Sequence, residues 1–265
     1  WEMIKGQWYF FDKDGWMVTG WRQIGGDWYY FQTSGAMIGQ GWHAINGNWY
    51  YMYANGVMAT NTWINGDYVN GFGAWISNKN LAYGQKVKEY ENKYGTAQIK
   101  SWLGDSHCMT GLCFIKLVDF AQNGQEQLLL AYRTSAGDYK FEVWDWNNQL
   151  KMLASGELFS MDGGQKSIYL TQYGGKTYLV TGGMDDDEEF YYYGFNGSTF
   201  GQVRQEIKRV GSYSISYKIN GKTVSENTYY SENNKWFGNA TEYSLNYDCN
   251  QIIKDNRAVK AKLGL

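Results

Sequence analysis

The sequence predicts a mainly β protein in two parts: an N-terminal β-hairpin solenoid of about twenty-residue repeats, then a β-rich α+β domain. Three observations predict it. The chain holds 13 Trp, 24 Tyr and 12 Phe beside 33 Gly and no Pro. Nine of the 13 Trp precede residue 77, in a stretch with only eight charged residues. Short aromatic or β-branched runs recur between Gly- and Asn-containing turns along the whole length. Composition also excludes several classes of function. A formal charge of -2 gives no electrostatic reason to expect nucleic acid or an anionic membrane as partner. A mean hydropathy of -0.56, with no long apolar run, excludes a membrane-spanning helix. The aromatic content excludes disorder, which is poor in such residues.

The first part, residues 1–76, is an internal repeat. Placing WRQIGGDWYYFQTSGAM from Trp21 above WHAINGNWYYMYANGVM from Trp42 aligns Trp28-Tyr29-Tyr30 with Trp49-Tyr50-Tyr51, Gly35 with Gly56 and Met37 with Met58. One period back, Trp1 opens a copy with Trp8-Tyr9-Phe10, Gly15 and Met17 in register. One period forward, Trp63 opens a decayed copy in which Tyr68 replaces the hairpin Trp and no Met follows. Within each copy a strand-like segment leads into Lys-Gly, Gly-Gly or Asn-Gly and then into the aromatic strand. Such dipeptides between apolar runs are the strongest short hairpin signal. A lone hairpin is marginal in water, so hairpins of this kind are expected to stack and bury their aromatic faces against one another.

At these residues the chain resembles the choline-binding, or cell-wall-binding, repeats of Gram-positive surface proteins. The resemblance rests on Gly-Trp, about six residues, Trp-Tyr-Tyr and then Gly-x-Met, and covers residues 1 to about 76. It implies a left-handed β-solenoid in which two Trp of one repeat, an aromatic residue of the next and a nearby Met cage the choline of teichoic acids. Carried over, the first cage would use Trp1, Trp8 and Tyr30 with Met17; the second Trp21, Trp28 and Tyr51 with Met37; the third Trp42 and Trp49 with Met58. The physical reason stands apart from the family. A quaternary ammonium has no N–H to donate, so it is held by the negative faces of aromatic rings. The competing reading of each ring is packing between hairpins, and alternation sets Trp28 and Tyr30 on one face and Tyr29 on the other. Glucan-binding and toxin repeats of the same period share the Gly-Trp and Tyr-Tyr-Phe features and bind carbohydrate, which makes glucan the alternative ligand.

The second part, residues 77–265, reads as a β-meander or partial-propeller-like domain with flanking helices. Leu81 to Trp102 carries apolar or aromatic residues at 83, 87, 90 and 94 and suits an amphipathic helix. Strand-like runs follow: GLCFIKLVDF, EQLLLAY, YKFEVWDW, LKMLASGEL, KSIYLTQ, KTYLVTGG, EFYYYGF, YSISYKI and KTVSENTYY, with a final helix over Gln251 to Leu263. The segment from Ile115 to Leu158 resembles, more weakly, propeller-like repeats of secreted bacterial proteins, whose acidic loops sometimes bind calcium. Here Asp119, Asn123, Gly124 and Glu126 remain but Ala121 and Gln122 interrupt the series, which favours a turn built on Asp119. The run Asp185 to Glu189 reads as a solvated loop.

No catalytic constellation is selected. His43 stands where the preceding repeat has Arg22. His107 with Cys108 and Cys113 lacks a fourth zinc ligand, and Glu142 and Asp145 are not picked out as a pair by their spacing. Neither a cofactor nor a metal is implied. Cys108 and Cys113 could pair across a short loop, leaving Cys249; free thiols are the favoured expectation. Because the sequence opens inside a repeat, it is expected to be the mature or trimmed form of an exported protein. The expected function is non-covalent anchoring of a secreted protein at the cell wall through choline, presenting a C-terminal domain with a protein or glycan partner of unknown identity. A cell-wall hydrolase with a catalytic C-terminal domain is the second alternative.

Overall fold

The computed structural model describes residues 1–101, 107–158, 166–184 and 187–265. They form two compact units, Trp1–Leu81 together with Lys262–Leu265, and Ala82–Ala261.

In the first unit, four antiparallel hairpins follow one another: β1 (Glu2–Ile4) with β2 (Gln7–Tyr9), β3 (Gly20–Ile24) with β4 (Asp27–Phe31), β5 (Gly41–Ile45) with β6 (Asn48–Met52), and β7 (Thr62–Ile64) with β8 (Asp67–Val69), to which β9 (Trp75–Ile76) adds a third strand. The turns are the ones the dipeptides demand. Asn46 and Gly47 both take positive φ, 49° and 83°, and Lys5-Gly6, Gly25-Gly26 and Asn65-Gly66 do the same, which matches the right-handed twist of the flanking strands.

Stacking is carried by the segment after each hairpin. The Met37 N–H donates to the Trp8 carbonyl and the Met58 N–H to the Trp28 carbonyl, both at 2.8 Å, so the second and third Gly-x-Met segments are each stitched to the hairpin before their own. The Gly in that segment is obligatory. A Cβ on Gly56, at φ 81°, would lie 2.4 Å from Met37 Sδ, and one on Gly73 would lie 2.4 Å from Met58 Sδ. Val18, Phe31, Ile38, Ile45, Met52, Met58 and Val69 are buried in this unit. The last residues of the chain belong here as well: Asn80 Nδ2 donates to the Lys262 carbonyl at 3.2 Å, and Leu263 is buried.

From Ala82 onward α1 (Asn78–Tyr94) belongs to the second unit, and its buried residues Ala82, Tyr83, Val87 and Tyr90 keep a helical spacing. The helix expected from 81 to 102 stops earlier. Gly95 takes φ 87° and its N–H returns to the Glu91 carbonyl, a glycine C-terminus, and Gln98–Ser101 becomes strand β10 paired with β11 (His107–Thr110). Trp102 lies outside the described residues. A four-stranded meander follows, β12 (Leu112–Val118), β13 (Gln127–Arg133), β14 (Tyr139–Trp146) and β15 (Leu150–Glu157).

A seven-stranded antiparallel sheet comes next. β16 (Ser167–Tyr173), β17 (Lys176–Met184), β18 (Glu188–Asn196), β19 (Thr199–Val210), β20 (Ile215–Ile219) and β21 (Lys222–Val224) run in sequence order, and β22 (Thr241–Ser244) pairs with the free edge of β16. The expected strand KTVSENTYY is strand only to Val224. Ser225 accepts the Thr228 N–H as an N-cap and starts α2 (Glu226–Phe237). α3 (Cys249–Lys262) closes the unit.

Phe114, Leu129, Phe141 and Val143 of the smaller sheet, Ile168 and Leu179 of the larger, and Cys249 and Ile252 of α3 share one buried core. The exposed edge of β12 is covered by a side chain: Asn256 Oδ1 accepts the Ile115 N–H and its Nδ2 donates to the Cys113 carbonyl, each at 2.8 Å. The opposite face of the larger sheet packs Tyr169, Val180, Phe190 and Tyr192 against Trp236 and Phe237 of α2.

Candidate functional site

The aromatic rings of the repeats form open clefts at the repeat period. In the first, Trp1 and Trp8 stand edge to face with centroids 6.3 Å apart and an interplanar angle of 90°, and Tyr29 lies 5.0 Å from Trp1. Met37 and Asn55 complete a cavity of about 400 Å³. The second repeats the arrangement with Trp21 and Trp28 at 6.4 Å and 83°, and Tyr50 4.7 Å from Trp21.

The structure brings together the Trp pairs that the sequence singled out but changes their companions. Tyr29 and Tyr50, rather than Tyr30 and Tyr51, come from the next hairpin to meet the preceding Trp. The reason is strand alternation. Tyr30 lies directly opposite Trp21 and Tyr51 opposite Trp42 within their own hairpins, with centroids 5.1 Å and 5.4 Å apart, whereas Tyr29 and Phe31 project to the other face and reach Trp1. The methionines shift by one repeat as well. Met37, not Met17, lines the first cleft, because the Met segment bonds to the preceding Trp strand. Met17 lies against Gly35. Met58, whose N–H bonds to the Trp28 carbonyl, belongs by the same register to the second cleft rather than the third.

The third cleft departs from the pattern. Trp42 and Trp49 are joined by Asp67 and Trp75 around a cavity of about 270 Å³, and Trp75 Nε1–H donates to Asp67 Oδ1 at 2.9 Å. Neither Asp67 nor Trp75 was singled out. A comparison of turn lengths in the sequence carried the signal, since the fourth hairpin reaches its Asn-Gly turn two residues early.

Chemically the first two clefts offer ring faces and a thioether. Burial first, and the Asp27 carboxylate second, push the Tyr29 phenol above its ordinary value, so it presents a neutral ring at physiological pH. A cleft of this kind suits a poorly hydrated cation or the C–H face of a sugar, and it has no means of proton transfer.

In the second unit the residues weighed for chemistry are otherwise engaged. Glu142 is buried and accepts from Tyr90 OH at 2.5 Å, Tyr132 OH at 2.9 Å and Trp144 Nε1 at 2.8 Å, while Asp145 accepts from Gln127. Cys108, Cys113 and Cys249 are buried free thiols, and burial pushes Cys113 up to about 12, far from a thiolate nucleophile. Asp119 accepts the N–H groups of Asn123 and Gly124, which makes its loop a side-chain-stapled turn. Asp185 and Asp186 lie outside the described residues; Glu188 and Glu189, from the same acidic run, sit on β18 and pair with Lys208 and Arg209 at 2.7 Å. His43 donates to the Gly39 carbonyl at 2.8 Å. No cluster of three or more His, Cys, Asp or Glu among the described residues could hold a metal, and no described helix is long and apolar enough to cross a membrane.

Stacked aromatic hairpins with ring-walled clefts at each junction define a cell-wall-binding repeat module. A family model for the choline-binding repeat matches residues 1–42, and one for a cell wall binding repeat matches residues 40–58. The chain belongs to the choline-binding repeat family through these repeats. It is 43% identical to the choline-binding domain of Spr1274 in Streptococcus pneumoniae, over 29% of this chain and 93% of that one, with a TM-score of 0.28. It is likewise 43% identical to CbpJ from Streptococcus pneumoniae TIGR4, over 29% of this chain and 26% of that, with a TM-score of 0.28. Choline binding protein F from Streptococcus pneumoniae is 37% identical over 29% of this chain and 33% of that, with a TM-score of 0.16. The chain thus spans about a quarter to a third of the last two. No curated protein matches it.

Proposed function

We propose that the repeats anchor the protein at a Gram-positive cell surface by holding choline or phosphocholine groups of teichoic acid in the Trp1/Trp8/Tyr29 and Trp21/Trp28/Tyr50 clefts, and that the protein is secreted and presents Ala82–Ala261 as a binding or structural domain. The observation that carries this reading is the recurrence of the same three-ring geometry, with a Met alongside, at two consecutive junctions. Each cation–π contact is worth about 0.5 to 2 kcal/mol, so three rings less the cost of ordering the ligand give a site of roughly millimolar strength. Several such sites on one solenoid, facing a polymer that carries many cholines, bind through effective concentration rather than through any single cleft.

Retention on a choline-substituted resin with release by free choline tests the assignment. Retention on glucan without response to choline moves the ligand to carbohydrate, and cleavage of peptidoglycan by the whole chain makes the second unit catalytic.

A further inference from the structure

The third cleft differs from the first two at two positions that change its chemistry together. The hydrogen bonds of the connecting turns fix the correspondence. The Tyr53 N–H donates to the Val57 carbonyl and the Gly56 N–H to the Tyr53 carbonyl; in the next repeat the Asn70 N–H donates to the Ala74 carbonyl and the Gly73 N–H to the Asn70 carbonyl. Asn70 is therefore the counterpart of Tyr53. Three residues before it, Asp67 stands at the position of Tyr50, and five residues after it Trp75 stands at the position of Met58. The bridging pairs agree, Met52 with Met58 and Val69 with Trp75.

A carboxylate thus replaces the phenol ring and an indole replaces the thioether. The two are tied by the Trp75 Nε1–H to Asp67 Oδ1 bond of 2.9 Å, which fixes the carboxylate against the third ring. Among the described residues no Lys, Arg or His forms an ion pair with Asp67. The cavity it lines has no other charged residue, only Trp42, Trp49 and Trp75.

Such a site has a full negative charge and a charged hydrogen-bond acceptor, where the first cleft has only the neutral Asn55 amide, whose Oδ1 already accepts the Val57 N–H. A quaternary trimethylammonium can use the charge but not the acceptor. A protonated dimethylammonium group can use both, with its methyl groups on the indole faces and its single N–H on the carboxylate. We propose that the Trp42/Trp49/Trp75/Asp67 cleft is a site for N–H-bearing alkylammonium groups and prefers a protonated tertiary amine to choline. This rests on the reading of the first two clefts as cation sites and gives the third a different ligand preference. Its charge also makes it the cleft most weakened by salt.

The indole N–H resonance of Trp75, assigned with Trp75→Phe, reports on this cleft alone in the full chain. Titration with N,N-dimethylethanolamine and with choline at neutral pH is expected to move it at about threefold to tenfold lower concentration of the tertiary amine, the effect of one charge-assisted hydrogen bond in a partly wet site. Asp67→Asn, whose Oδ1 can still accept the Trp75 N–H, is expected to erase that difference. Tyr50→Asp is expected to install it in the second cleft, read at the Trp21 and Trp28 indoles. The inference is overturned by a Trp75 signal that answers neither ligand, by equal or choline-favouring response in the unmodified chain, or by an unchanged preference in Asp67→Asn. If Asp67→Asn does not fold, no gain of preference in Tyr50→Asp overturns it. Failure of the Trp21 and Trp28 indoles to answer choline would instead remove the reading of the first two clefts.

Discussion

Replacing Trp28 by Leu separates the binding role of the ring from its packing role. Trp28 is 41% exposed, so somewhat more than half of the indole is covered in the folded chain. For an aromatic side chain that is on the order of 100 Å² and roughly 2.5 kcal/mol of apolar burial, of which Leu should recover about half. The backbone carbonyl that accepts the Met58 N–H is untouched, so the hairpin stays stitched to its neighbour. The expected loss of stability is therefore about 1 kcal/mol. Binding loses one of three ring faces, about 0.5 to 2 kcal/mol, which predicts an affinity about twofold to thirtyfold weaker at the second cleft and unchanged at the first. Calorimetric titration with choline reads the affinity, and circular dichroism confirms the fold. A folded Trp28→Leu chain with undiminished choline binding at the second cleft would refute the argument that this indole is a wall of the site.

Four further outcomes follow from the same geometry. Gly56→Ala places a methyl 2.4 Å from Met37 Sδ at a positive φ, so it should cost on the order of 1–3 kcal/mol in urea melts and weaken the first cleft by displacing Met37. Glu206 is fully buried, accepting from Arg204 Nε at 2.7 Å and Asn233 Nδ2 at 2.8 Å; Glu206→Ala leaves the buried Arg204 only the half-buried Glu232 at 3.6 Å and should destabilise the second unit by about 2–4 kcal/mol, read by urea denaturation. Burial disfavours the Glu189 carboxylate, but hydrogen bonds from Tyr191 and Arg209 outweigh it and hold the group below its usual value; a carboxyl depressed on folding stabilises above the unfolded value and loses that contribution as pH falls through the folded one, so acid melts below the ordinary carboxylate range should lose pH sensitivity in Glu189→Gln. Calcium should leave the melting temperature unchanged, since the Asp119 oxygens already accept two backbone N–H groups; a calcium-dependent rise would show that the loop releases them for a metal.

What the sequence made legible was whatever is encoded in residues close together along the chain. The twenty-residue period, the positive-φ turn dipeptides and the Trp pairs are local, and they are where the reading and the structure agree. The companions of each Trp pair were misplaced because they come from the following hairpin: which Tyr of Trp-Tyr-Tyr arrives is decided by the pleat, and which Met arrives by a hydrogen bond to a strand about thirty residues back. In the second unit β19 was passed over because Arg204, Glu206 and Lys208 broke its apolar pattern, yet Arg204 and Glu206 neutralise each other in the interior. Likewise Ser225-Glu226-Asn227-Thr228 read as the middle of a strand, and it is the Ser225 cap that turns the chain into a helix.

Turn length explains why one solenoid can hold clefts of unlike chemistry without changing its fold. The outward-facing Trp strand and the stitching hydrogen bonds depend on the segment after each hairpin, which the fourth repeat preserves through Asn70, Gly73 and Ala74. Shortening the hairpin by four residues, two from each strand, leaves a bridge from Ala74 to Tyr50 of the preceding hairpin but changes which side chain sits beside the preceding Trp pair, so Asp67 arrives where a Tyr stood. The carboxylate costs little there because the cleft is open and its indole partner donates a hydrogen bond. A repeat can therefore alter the lining of a cleft by losing residues at its solvent-facing tip, where a change in length is tolerated, while the buried Val69 and Ile76 keep the stack closed.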